Sequence, residues 1–119
     1  MVTLESAHLV GAGGALGALC RHYLAGAVQQ ETFPLGTLTV NAIGSFALGL
    51  LTFAGVTGNA VLLVGVGACG SFTTFSSFSV ETVRLWENGD VALAALNAVG
   101  NLTCALAGIG LAWGVIQVV

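Results

Sequence analysis

Residues 67–81 read GACGSFTTFSSFSVE. The run just before them, VLLVGV at 61–66, is wholly apolar. Within GSFTTFSSFSVE, residues 70–81, there are two threonines and four serines in twelve positions. Hydroxyl groups in an apolar environment must face protein or water, because unsatisfied polar groups in lipid cost several kcal/mol. Gly65, Gly67 and Gly70 lie where a helix can open and release backbone carbonyls. An open helix at membrane depth is tolerated only where the freed groups meet protein, an ion or water. The stretch therefore reads as a broken helix that lines something.

The rest of the chain supplies the membrane. Of 119 residues, 56% are hydrophobic and 6% charged, with mean hydropathy +1.00. Soluble domains carry about 25% charged residues, so seven charges cannot solvate a globule of this size. About 20 apolar residues cross a bilayer core. The pattern predicts four spans, near 7–28, 35–55, 60–80 and 91–118, in a single transmembrane domain over 1–119. The loop QQETFP with Pro34, the turn VTGNA and the loop WENGD join them. MVTLESAHLV has no basic residue and precedes a run too long for a signal-peptide core, so no cleaved leader is expected. Cys20, Cys69 and Cys104 lack CxxC spacing and read as small packing residues. Lysine is absent and Arg21 and Arg84 are the only fixed cations, which excludes nucleic acid as a partner.

Small residues recur every four positions in two spans: Gly13 and Gly17, then Gly100, Cys104, Gly108 and Ala112. Such stripes let helices approach closely. Four short helices make too small a bundle to enclose a pore, so self-association is expected. With alternating spans both arginines fall on one side, which specifies orientation weakly. Trp86 and Trp113 read as interface anchors. His8 and His22 have no metal-ligand spacing and read as interfacial or packing residues. Ser45 and Thr103 read as hydroxyls bonded to their own carbonyl one turn back.

An enzyme would need a nucleophile–base pair, a metal set or an intramembrane carboxylate cluster. The spans hold no Asp, no HExxH and no GxSxG. A proton-coupled multidrug transporter would need a carboxylate in mid-membrane, whereas Glu5 precedes the first span and Glu81 ends the third. A non-conducting assembly subunit would leave the hydroxyl-rich segment without a purpose.

GGALGALCRHYL, GTLTVNAIGSFALG and GACGSFTTFSSFSVE occur in this order, and in them the chain resembles the Fluc (CrcB) fluoride channels. The resemblance covers essentially the whole length. It implies an all-α membrane protein of four transmembrane helices per subunit, with the third broken. It also implies an antiparallel, dual-topology dimer in the plasma membrane and passive export of cytoplasmic fluoride. Phe75 and Phe78 match paired phenylalanines along the ion pathway, and Asn41 matches a hydrogen-bond donor there. Thr74, Ser76 and Ser77 match pathway hydroxyls, while Arg21 and Glu81 match charged positions near its ends. Gly70 and Thr73 match backbone carbonyls that hold a structural Na+ at the dimer interface. The implied partner is an identical or paralogous subunit.

The physical chemistry of these residues agrees with the roles. An aromatic ring has a positive edge, and Phe75 and Phe78 are three apart on one helix face. The fourth span departs from the family pattern, carrying Asn97, Asn101 and Thr103 where tyrosine or serine is usual. Which of these three line the pathway is left open.

Overall fold

The computed structural model describes residues 3–119. Every regular element among them is helical. The first helix, α1, spans Leu4–Val28, and Thr3 caps it by accepting from Ser6 N–H at 3.1 Å. After the 29–34 loop, α2 spans Leu35–Phe53 with Pro34 at its N-cap. Proline suits that position, where its missing N–H is not needed. The turn that follows uses Gly55 and Gly58 at φ +71°, a conformation that favours glycine.

The third span begins as a π-helix over Val61–Cys69, in which Gly70 N–H reaches back to Gly65 O. It tightens into one α turn, α3 (Gly70–Phe72), and resumes as α4 (Phe75–Glu87). Between these turns Thr73 (φ −86°, ψ 160°) and Thr74 (φ −148°, ψ 121°) are extended. The last helix, α5, covers Val91–Val118; 28 residues at about 1.5 Å each exceed the ~30 Å hydrocarbon core. The third span runs on to Glu87, beyond the expected limit near residue 80, so the connecting loop is shorter than WENGD.

Three helical stretches are long and apolar enough to cross a membrane: Leu35–Phe53, Val61–Glu87 and Val91–Val118. The 25-residue α1 is long enough but is not among them. His8, Arg21 and His22, together with its glycines, lower its hydropathy.

Side chains are distributed inside out relative to a soluble protein. The largest fully buried side chains are Val40 and Asn97, whereas Leu16, Leu96, Val99, Leu102, Leu106 and Leu111 are all exposed. Small and polar groups fill the interior, and large apolar groups face outward where lipid tails are as apolar as they are. This is a membrane protein.

Helix proximity explains the small interior. A Cβ at Gly13 would overlap Leu63 O, and one at Gly17 would overlap Ala68 O. A Cβ at Gly67 would lie 2.7 Å from Val10 O, so α1 and the third span touch backbone to backbone. Ser71 Oγ completes the seam by donating to Gly14 O at 2.6 Å. Between α2 and α5, Gly108 would bring a Cβ within 2.9 Å of Ala42 O, and Gly49 faces the buried Ala112. Both small-residue stripes thus pack inside one subunit and are not free for association between subunits.

Candidate functional site

The site is built around the two extended residues. In an uninterrupted helix Thr74 N–H would point at Gly70 O and Ser77 N–H at Thr73 O. Instead Thr74 N–H donates to Asn41 Oδ1 at 2.7 Å, and Ser77 N–H donates to Thr74 Oγ1 at 3.1 Å. The second bond is an N-cap, the ordinary use of threonine at a helix start. Among the described residues no donor is left on the Gly70 or Thr73 carbonyl. The threonine hydroxyl also lies 3.3 Å from Ser76 Oγ.

Asn41 comes from α2 and holds both sides of the Thr74 peptide. Its Nδ2 donates to Thr74 O at 3.0 Å and to Asn101 Oδ1 at 3.1 Å. The backbone N–H of Thr74 can only donate, which fixes the orientation of the Asn41 amide. Both Asn41 donor hydrogens are therefore engaged within the subunit, so donating to an anion requires one of these bonds to open. Gly44, one turn after Asn41, leaves room for Thr73: a Cβ there would overlap the threonine methyl.

Two cavities meet at this peptide. One, of about 610 Å³, is lined by Asn41, Gly70, Thr73, Thr74, Phe75, Phe78 and Asn101, together with Ser45 and mainly apolar residues. The rings of Phe75 and Phe78 lie 5.7 Å apart, tilted by 50°. Phe75 is 79% exposed, at a helix start whose neighbouring positions carry hydroxyls. The other cavity, of about 340 Å³, is lined by Arg21, His22, Gln29, Thr37, Thr74, Ser77 and Glu81. Thr74 borders both. Glu81 in turn borders a third cavity of about 150 Å³ among the 29–34 loop, Arg84 and Asn88.

The expected site residues thus divide by side. Asn41, Phe75, Phe78, Gly70 and Thr73 border the first cavity; Arg21, Ser77 and Glu81 border the second; Thr74 joins them. Ser76 is exposed and borders neither. Thr103 is exposed, while Asn97 is wholly buried and Asn101 nearly so.

Two contacts escape any reading of the sequence by spacing. Thr37 donates to Glu81 Oε1 at 2.9 Å across 44 residues, leaving buried Oε2 without a hydrogen-bond partner. Ser71 was legible only as one hydroxyl among six, yet it is the one bonded to α1. Ser45 and Thr103 make no bond to their own helix; the hydroxyls that reach a carbonyl one turn back are Thr39, Thr52, Thr73, Ser79 and Thr82, and Ser71 Oγ also lies 3.0 Å from Gly67 O.

Residues 8–114 match the family described as CrcB-like protein, Camphor Resistance (CrcB). The chain is 89% identical to the fluoride-specific ion channel FluC 2 of Haloarcula marismortui over 119 residues, the full length of both. It is 50% identical over 105 residues to FluC 1 of Halobacterium salinarum, covering 88% of each chain. It is also 47% identical over 106 residues to FluC of Thermus thermophilus, covering 83% of this chain and 85% of the relative.

Proposed function

The chain belongs to the CrcB family, and from that premise we propose that it is a fluoride-selective passive ion channel. Its relatives are named as channels rather than enzymes. The observation that carries the reading is the Thr74 peptide. It separates a cavity bearing Phe75, Phe78 and Asn41 from one bearing Arg21, Ser77 and Glu81.

Fluoride must lose water to pass and must find weak donors in exchange. The positive ring edges of Phe75 and Phe78 can offer part of this without binding the ion tightly. The hydroxyls of Thr74 and Ser77 continue the route into the second cavity, with Ser76 beside Thr74 as a further donor. Arg21 raises the local anion concentration there. Conduction needs binding strong enough for entry and weak enough for exit, which several modest donors in series satisfy. Neutral HF enters cells and dissociates in a near-neutral cytoplasm. A negative interior then drives the anion out through an open path in the plasma membrane, with no coupled ion.

The subunit is incomplete alone. Phe75 stands exposed beside an open cavity on the face that carries the freed carbonyls. A second subunit, identical or paralogous, inserted antiparallel would cover this face and give four crossings per subunit with two pathways between them. In that arrangement α1 crosses with its His and Arg groups turned to protein or to a wet cavity, as intramembrane charges require. The Gly70 and Thr73 carbonyls suit a sodium ion, being hard neutral oxygens released from helix bonding. Paired with the same two carbonyls of the second subunit, they would hold it, and its fixed positive charge would join the halves and favour anions nearby.

Liposomes containing only this protein test the function. Rapid fluoride efflux without chloride efflux is expected, and Phe78→Ile is expected to slow fluoride about tenfold, the equivalent of one lost aromatic contact of ~1.4 kcal/mol. Movement of both anions, or of neither from folded protein with an added paralogue, would overturn the reading.

Glu81→Gln tests the second cavity. Glu81 Oε2 is buried, so its charge counts for at least the ~0.7 kcal/mol of a unit charge about 6 Å from the ion in water. Removing it is expected to raise fluoride efflux at least about threefold at 0.05 M salt. The gain should shrink towards unity at about 1 M salt, where the Debye length is ~3 Å. Efflux measured across a salt series checks both the sign and the screening.

A further inference from the structure

Beyond Asn41 the hydrogen bonding continues in one direction. Asn101 Oδ1 accepts from Asn41, and Asn101 Nδ2 donates to Asn97 O and to Asn97 Oδ1, both at 2.8 Å. Asn97 Nδ2 donates to Thr82 Oγ1 at 2.9 Å, and Thr82 Oγ1 donates to Phe78 O at 2.7 Å. Each link is a donor on one residue and an acceptor on the next. The ends are backbone groups whose sense cannot reverse: Thr74 N–H at one and Phe78 O at the other. The chain leaves α4 at its first residues, crosses α2 and α5, and returns to α4 one turn later.

The geometry points to Asn101, Asn97 and Thr82 as positioning residues for the ion pathway. Their amide–hydroxyl relay locks Asn41 onto the Thr74 peptide and fixes the first turn of α4, which carries Phe75 and Phe78. This inference rests on the channel reading for its functional consequence, but not for the geometry it describes. Three features support it. Asn97 is wholly buried and borders none of the three cavities, so it cannot meet a permeating ion. Each amide nitrogen and the Thr82 hydroxyl has an acceptor on the next member, and in a low-dielectric interior such bonds polarise one another. Alternative orientations of the amides would set donors against donors at Thr74 N–H, so the chain selects one arrangement of the extended residues.

The test uses Thr82→Val, Thr82→Ser and Asn97→Leu in the full-length protein. The first readout is amide exchange at Thr74, followed by NMR in detergent and independent of conduction. Thr82→Val and Asn97→Leu are each expected to speed Thr74 N–H exchange about tenfold or more, while Thr82→Ser, which keeps the hydroxyl, stays at the wild-type rate. The second is fluoride efflux per folded dimer. Thr82→Val should slow it about three- to tenfold and Thr82→Ser should not. Because both residues act through one chain, the Thr82→Val, Asn97→Leu double variant should be no slower than the worse single variant.

The inference is overturned if Thr74 exchange is unchanged in Thr82→Val and Asn97→Leu. It is equally overturned if the two variants slow efflux additively, or if Thr82→Ser behaves as Thr82→Val. Absence of fluoride efflux in the wild type, with Thr74 exchange responding as expected, would leave the relay standing and remove the channel reading instead.

Discussion

Gly13→Ala is expected to abolish most of the folded protein. A methyl group there would overlap the carbonyl oxygen of Leu63 and also meet Ala68 N at 3.0 Å. Overpacking a well-filled interior usually costs about 1–3 kcal/mol. That range assumes side chains that can turn aside. Here the obstacle is backbone, so the whole of α1 must move off the third span. Ser71 would then lose its acceptor on Gly14, and Gly67 its close neighbour Val10. A cost of at least ~3 kcal/mol follows, a large part of the ~5–15 kcal/mol that stabilises a domain. Gly110→Ala is the matched control, since nothing lies within 4 Å of a Cβ there. Yield of monodisperse protein in detergent and its thermal midpoint should collapse for Gly13→Ala and stay at wild type for Gly110→Ala. Wild-type behaviour of Gly13→Ala would mean that α1 does not sit in this groove.

Asn41→Leu is expected to reduce fluoride efflux at least about a hundredfold while the protein still folds. Leucine matches asparagine closely in shape, so packing is little changed. What disappears is the acceptor for Thr74 N–H, one donor to Thr74 O and the donor to Asn101 Oδ1. Thr74 is 8% exposed, so these groups have little water to turn to. Each buried unsatisfied group costs about 1–3 kcal/mol. The nearest remedy is for Thr74 N–H to close on Gly70 O, which makes the helix continuous and withdraws the freed carbonyl. A bias of ~3 kcal/mol towards that closed form corresponds to roughly a hundredfold loss of the open one. Asn41→Asp keeps an acceptor for Thr74 N–H and should fall between the wild type and leucine. Efflux from liposomes, normalised to folded protein measured by size exclusion, decides it. Equal rates for leucine and wild type would show that the Thr74 peptide holds its extended form without Asn41.

Much of this was legible because membranes impose simple rules on sequence. A chain with so few charges has to place apolar side chains outward, and hydroxyls gathered in one span have to face something polar. Residues 67–81 announced themselves for that reason. The small-residue stripes were visible too, but their use was not. Gly13 and Gly108 look alike in sequence, and either could serve contacts within or between subunits. Only the packed structure shows both in the interior of one chain. Asn97 and Asn101 were visible as a pair on one face, with nothing to tell an ion-lining role from a structural one. Burial sets Asn97 apart from the cavities while Asn101 borders the first of them, a division the sequence could not show because it carries no record of which donors already have partners.

The sequence by itself determined the solvent and the class of element. Composition required lipid, helices are the structures that satisfy their own backbone there, and the order of motifs identified the family. Tertiary structure alone decided which backbone groups were released and which were claimed. Thr74 N–H could have closed on Gly70 O, four residues away, as any helix would. It is instead drawn to Asn41, 33 residues earlier in the chain. Local sequence sets helix propensity over a few residues, but the choice between a local acceptor and a distant one depends on how α2 and the third span are brought together. Gly44 permits that approach and Asn41 exploits it, and both facts exist only in three dimensions.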